Sequence, residues 1–207
     1  RILCPCYADY RRVELARHSG RTETLQKHGL EHVERFIFTA ARLVAVKGLD
    51  LMIRAFRARR LDQRGYHYLI AGTGPLEAEL KALAGPLLNK NIHLLGFQQP
   101  TDNLALMAHA DLFVLPSTFE PHGIVIQEAT AAGTPVLASN ICGAAHDLVR
   151  PGKSGWLFAS NDQRDLERRL DEITRDPTVL RGMRNATRAV FDDWFGRFNP
   201  VNVVHDL

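Results

Sequence analysis

Between Ser117 and Glu128 the sequence reads S-T-F-E-P-H-G-I-V-I-Q-E. Two carboxylates, Glu120 and Glu128, are separated by a turn-forming Pro121, a permissive Gly123 and an apolar run that resembles a helix start. If a strand ends near Ser117 and a helix begins near Gly123, Glu120 falls in the loop and Glu128 on the helix. Both can then face one ligand seated over the helix N-terminus, where free N–H groups and the helix dipole favour negative charge. A surface loop with two solvated acids would carry the same residues, so the neighbouring segments must decide.

Arg42 and Lys47 flank a second loop, and Gly48 lets the backbone turn from it into a helix. An Arg fork and a Lys point charge together can neutralise a diphosphate; two solvated cations are the plain alternative. Gly72-Thr73-Gly74-Pro75 follows a strand-like run and opens a helix, the setting in which a glycine turn brings N–H groups to phosphate. The dinucleotide fingerprint wants glycine or alanine where Glu77 stands, so an NAD site is not expected. Pro151-Gly152-Lys153-Ser154 resembles the end of a P-loop, but its leading glycine would fall at Asp147. A surface turn fits that stretch better.

Positioning these residues requires a repeating scaffold, and the chain provides one. Apolar runs of strand length recur at Phe36–Leu43, Tyr66–Ala71, Ile92–Phe97, Leu112–Leu115, Pro135–Ser139 and Trp156–Phe158. Helical patterns alternate with them at Leu49–Arg60, Leu76–Leu83, Asn103–His109, Ile124–Ala132 and Ala144–Val149. Short apolar strands alternating with helices predict a doubly wound α/β domain: a parallel, Rossmann-like sheet of about six strands with helices on both faces. Ligands of such sheets bind at the carboxyl ends of the strands, where all three loops lie. The expected organisation is a lead-in segment over 1–34, the sheet domain over 35–160 and a helical C-terminal tail over 161–207. In that tail Leu166, Leu170 and Ile173 share one face, and Trp194, Phe195 and Phe198 close the chain.

Composition narrows the class. The 207 residues are 45% hydrophobic and 24% charged with a net charge of +3, a globular balance without the basic runs of a nucleic-acid binder. No apolar stretch approaches the roughly 20 residues of a membrane span. Three cysteines, with Cys4 and Cys6 crowded together and Cys142 far away, do not make a disulfide framework and point to a reducing cytoplasm. No second ligand pair follows Cys4-x-Cys6, so no metal site is expected. The chain opens on Arg1 without a signal pattern, as a piece of a longer protein would.

Five segments in order then strongly resemble the nucleotide-sugar-binding half of the GT-B glycosyltransferases. They are A-R-L-V-x-x-K-G-L-D (41–50), I-A-G-T-G-P-L (70–76), L-G-F (95–97), A-D-L-F-V-L-P-S-x-x-E-P-H-G-I-V-x-x-E-A (110–129) and A-x-G-T-P-V-L-A-S (131–139). The resemblance is to the large retaining group that includes glycogen synthases and bacterial lipopolysaccharide and capsule enzymes. It implies that Arg42 and Lys47 hold the donor diphosphate and stabilise the leaving nucleotide, with Glu120 beside the donor sugar as a third catalytic residue. It also implies that Glu128 binds the ribose hydroxyls, that backbone N–H groups of His122, Gly123 and Ile124 meet sugar and phosphate, and that Gly96 and Phe97 lie against the base. Gly72 and Gly74 join the same donor site.

The implied reaction uses no cofactor and no metal. The implied partners are a nucleoside diphosphate sugar, a glycan or lipid-linked acceptor and a separate N-terminal domain, through which the inner face of the membrane would be contacted. His122 stands where the family commonly has Phe or a similar residue, and Cys142-Gly143-Ala144-Ala145-His146-Asp147 replaces its common Gly-Gly, which leaves the sugar specificity open. The rival expectations are a sugar-nucleotide epimerase of the same fold and a non-catalytic nucleotide-sugar-binding module.

Overall fold

The computed structural model describes residues 10–198. Cys4 and Cys6 lie outside them. Six strands, β1 (Arg35–Ala40), β2 (Tyr66–Ala71), β3 (Ile92–Gly96), β4 (Leu112–Leu115), β5 (Val136–Ser139) and β6 (Gly155–Phe158), form one sheet in the order β3-β2-β1-β4-β5-β6. Every neighbouring pair is parallel. The sheet is the expected doubly wound one, and the observed strands agree with the apolar runs to within a few residues. The longest disagreement is at the first run, where pairing stops at Ala40 and Leu43 instead sits in the following loop.

Alternation along each strand builds a separate core on each face. Phe36, Phe38, Leu69, Phe113, Leu115 and Val136 point to one side, while Ile37, Tyr68, Ile70, Val114, Leu137 and Trp156 point to the other. Because neither face meets water, the strands carry no polar face of their own, which is why they read as nearly unbroken apolar runs. The buried hydroxyl Thr39 Oγ1 is satisfied by donating to the Val114 carbonyl at 2.7 Å, with Tyr68 Oη at 3.0 Å.

The first face is covered by α1 (Tyr10–Arg17), α2 (Arg21–Gln26), α5 (Pro100–His109), α6 (Ile124–Ala131), α7 (Gly143–Leu148) and α9 (Pro177–Phe198). The second is covered by α3 (Leu49–Ala58), α4 (Glu77–Ala84) and α8 (Gln163–Thr174), with Leu180 and Met183 from the start of α9. On α8, Leu166, Leu170 and Ile173 are buried as their spacing requires, and Asp162 caps the helix by accepting the Asp165 N–H at 3.0 Å.

The two ends of the described chain meet. The Tyr10 ring packs at 4.7 Å from both Phe191 and Phe195, and Arg188 of α9 ion-pairs with Glu14 of α1 at 2.9 Å. Helix α9 runs on through the aromatic residues at 191–198, and the single Tyr10 ring covers two of them, Phe191 and Phe195. The guanidinium of Arg184 enters the same face and donates to the Ala110 carbonyl at 2.8 Å and to that of Ala108. No helix among the described residues is long and apolar enough to cross a membrane.

Candidate functional site

The order of strands reverses between β1 and β4, and a doubly wound sheet opens a crevice at that switch point. The loop after β1 carries Arg42 and Lys47; the loop after β4 carries Glu120 and leads into α6. Their approach is built into the backbone. The Thr118 N–H donates to the Val46 carbonyl at 2.8 Å. Gly48 has φ +61°, and a Cβ there would lie 2.2 Å from the Pro116 carbonyl oxygen, so glycine is needed for both conformation and clearance.

This contact brings together side chains 73 positions apart. Lys47 Nζ donates to Glu120 Oε2 at 2.5 Å, and the other oxygen, Oε1, accepts the Gly123 N–H at 3.2 Å. The pair is mostly shielded, with 22% and 14% of the two side chains exposed. Gly123 itself is the N-cap of α6 with φ +77°, the left-handed conformation that turns the chain from loop into helix. Arg42 is exposed and has no ion-pair partner among the described residues.

Glu128 lies four residues beyond Ile124 on α6 and is half-buried. Among the described residues its carboxylate has neither an ion-pair nor a hydrogen-bond partner. Burial without compensation pushes its pKa up to about 7 from 4.5. A carboxylate held in that state lacks donors, and paired hydroxyls would supply them.

The remaining residues expected at the site sit around the same carboxyl edge. His122 is exposed, and Ile124 is half-buried at the first turn of α6. Gly96 ends β3 with φ +70° and accepts the Gly72 N–H at 2.8 Å, while Phe97 stands 69% exposed beyond it. Gly72 and Gly74 have a packing duty that their motif does not reveal. A Cβ on Gly72 would lie 1.9 Å from the Ala41 carbonyl oxygen, and one on Gly74 would lie 2.5 Å from that of Leu43. The Leu43 N–H donates to the Thr73 carbonyl at 3.0 Å, and the Leu76 N–H donates to the Leu43 carbonyl at 3.1 Å. The two glycines therefore let the loop that carries Arg42 press onto the turn before α4. That helix opens with Glu77 and Glu79, acids that disfavour an anion at its own N-terminus.

Sequence reading assigned no role to Gly143 or Ser139, which shape the site. A Cβ on Gly143 would lie 2.1 Å from the Pro121 carbonyl oxygen. Its N–H donates to the Glu120 carbonyl at 3.0 Å, and the Ala144 N–H donates to that of His122 at 2.8 Å. The start of α7 thus fixes the backbone of the Glu120 loop. Ser139 Oγ donates to the Ser117 carbonyl at 2.5 Å and contacts Cys142 Sγ at 3.4 Å. The available signals were the position of Gly143 in the variant of the family's Gly-Gly and that of Ser139 at the end of the 131–139 segment.

A cavity of about 530 Å³ lies elsewhere, lined by Arg35, Arg59, Arg64, Asp171 and Arg175. Asp171 ion-pairs with Arg64 at 2.8 Å and with Arg59, so this cluster ties α8 to the region around α3. The convergence of charge and unpartnered carboxylate at the switch point makes the β1–β4 crevice the candidate site instead.

The profile of the family described as "Glycosyl transferases group 1" matches residues 20–190. The chain belongs to this family. The amylovoran biosynthesis glycosyltransferase AmsK of Erwinia amylovora is 34% identical over 168 residues, covering 78% of this chain and 41% of that protein. The crystal structure of WaaG, a glycosyltransferase involved in lipopolysaccharide biosynthesis, superposes with a TM-score of 0.78 at 26% identity, over 93% of this chain and 52% of that one. Anabaena HepE, solved in complex with UDP and glucose, shares the fold with a TM-score of 0.75 at 24% identity, over 94% of this chain and 55% of that one. The resemblance to GT-B glycosyltransferases that the five motifs carry is thus borne out. The chain spans about half the length, or less, of these relatives.

Proposed function

We propose that this chain is the donor-binding half of a retaining glycosyltransferase that moves a sugar from a nucleoside diphosphate to a glycan or lipid-linked acceptor. Bacterial surface polysaccharide synthesis is the setting that AmsK and WaaG suggest. The observation carrying this reading is the half-buried, unpartnered Glu128 on the helix whose N-terminal Gly123 N–H meets Glu120, itself paired with Lys47. A ribose diol on Glu128 would place the diphosphate toward that N-terminus and toward the two cations of the β1 loop. HepE, a chain of the same fold, was solved with UDP and glucose, which supports a nucleotide-sugar donor.

In the reaction, the bond between the sugar's anomeric carbon and the diphosphate oxygen breaks while one to an acceptor hydroxyl oxygen forms; the acceptor's proton leaves with the nucleoside diphosphate. Negative charge grows on the leaving group, and preorganised donors lower the barrier most where charge develops. We assign that task to Arg42, Lys47 and the N–H groups of 122–124 rather than to a divalent metal. The base is met by Gly96 and Phe97. The acceptor and the opposite wall of the cleft belong to a second domain.

A thermal-shift screen against UDP, GDP, ADP and their hexose conjugates tests the reading, since a ligand that binds the folded state stabilises it according to its affinity. One nucleotide series is expected to raise the melting temperature where free hexoses do not. No stabilisation by any of the three would count against it.

A further inference from the structure

Glu120 occupies the two groups that the proposed function gives to the donor's phosphates. Its Oε2 takes Lys47 Nζ at 2.5 Å, and its Oε1 takes the Gly123 N–H at the start of α6 at 3.2 Å. A carboxylate bridging an ammonium group and a helix N-terminus satisfies the same donors that a phosphate oxygen pair would. We propose that Glu120 is an internal counter-anion that holds the phosphate seat until donor binding displaces its carboxylate. This inference rests on the proposed function, because the displacing ligand is the diphosphate of the nucleotide sugar.

The backbone supports an exchange confined to the side chain. The Gly143 N–H holds the Glu120 carbonyl, the Ala144 N–H holds that of His122, and the Thr118 N–H holds Val46 on the facing loop. The loop therefore stays in place while the Glu120 side chain turns. Once displaced, the carboxylate remains on the same loop beside the bound sugar. The seat is thus never left with an unpaired, mostly shielded Lys47, and a ligand must bring enough negative charge to replace what it expels. A diphosphate anchored through ribose on Glu128 does so better than an isolated phosphate.

Removing the charge of Glu120 should therefore tighten anion binding. Calorimetry compares the unaltered chain with Glu120→Gln using three probes: inorganic pyrophosphate, the best-binding of UDP, GDP and ADP, and the matching free nucleoside. Glu120→Gln is expected to bind the first two up to about fivefold more tightly, the factor for removing a competing ion pair of ordinary strength, with the nucleoside unchanged. A Lys47→Gln/Glu120→Gln double variant should lose that gain. The Gly123 amide resonance should move when UDP or pyrophosphate binds the unaltered chain.

Unchanged or weaker pyrophosphate binding by a folded Glu120→Gln variant, or no pyrophosphate binding by either form, would overturn the inference. Tighter pyrophosphate with no nucleotide binding in either form would uphold the anion seat and remove the nucleotide reading instead. Thermal melting establishes that each variant is folded, and a Glu120→Asp variant, too short to span both partners, should also gain pyrophosphate affinity.

Discussion

Replacing Glu128 with Gln should make the unliganded protein more stable at alkaline pH and leave it unchanged in acid. Burial raises the carboxyl from 4.5 to about 7, and at 1.36 kcal/mol per pH unit this displacement is worth about 3 kcal/mol. Solvent reaches part of the half-buried group, so we expect about 2 kcal/mol. The sign follows from proton counting. Between these two values the folded state holds a proton that the unfolded state has released, so stability falls as pH rises through that window. Below the window both states are protonated and the penalty vanishes; above about pH 7 it is complete. Glutamine carries no such penalty. Urea titrations of both proteins at about pH 8 should therefore differ by about 2 kcal/mol in favour of the variant, and the gap should close by about pH 4. An equal stability at pH 8, or a gap that persists in acid, would refute the reasoning. The same variant should bind nucleotide less well, a trade of function against stability common where a site holds an uncompensated group.

Three further outcomes are expected. Gly48→Ala should cost about 2 kcal/mol or more, because it meets a left-handed backbone and the Pro116 carbonyl together, and urea denaturation measures it. Arg42→Ala should leave the melting temperature unchanged while weakening the best nucleoside diphosphate about tenfold in calorimetry, since Arg42 is exposed and has no ion-pair partner among the described residues. His93, pushed down to about 4 by burial and by neighbouring His67, donates or accepts a 3.1 Å hydrogen bond with His67; its share of stability is present above its ordinary value of 6.5 and is lost as pH falls from there toward 4. A His93→Asn variant should show a flatter stability profile across that acid range.

Much of this architecture was legible because its physics is local. Tyr66–Ala71 and Leu112–Leu115 are buried on both faces, so their apolar runs mark the strands to the residue. Gly48 marks a real left-handed turn. Strand order was beyond a local reading, because it depends on which core each helix joins. The same limit hid the Lys47–Glu120 pair: both residues could be chosen for charge, but their bond depends on Gly48 and Pro116 meeting across two loops. The Gly72–Pro75 turn shows the converse. A glycine pair that resembles a phosphate loop is required for the backbone to pack against Ala41 and Leu43. The packing of Phe191 and Phe195 on Tyr10, at the far end of the described chain, was likewise beyond a local reading.

The central claim is that Glu128 reads the ribose of a nucleoside diphosphate held over α6. Calorimetry of the chain with UDP, GDP and ADP, each against its dideoxy counterpart, tests it most directly. One ribonucleotide is expected to bind, its dideoxy counterpart to bind about tenfold less tightly, and Glu128→Ala to abolish the difference, as loss of a hydrogen-bonded pair requires. Equal affinity for ribo and dideoxy forms, or no binding to any of the three, would contradict it.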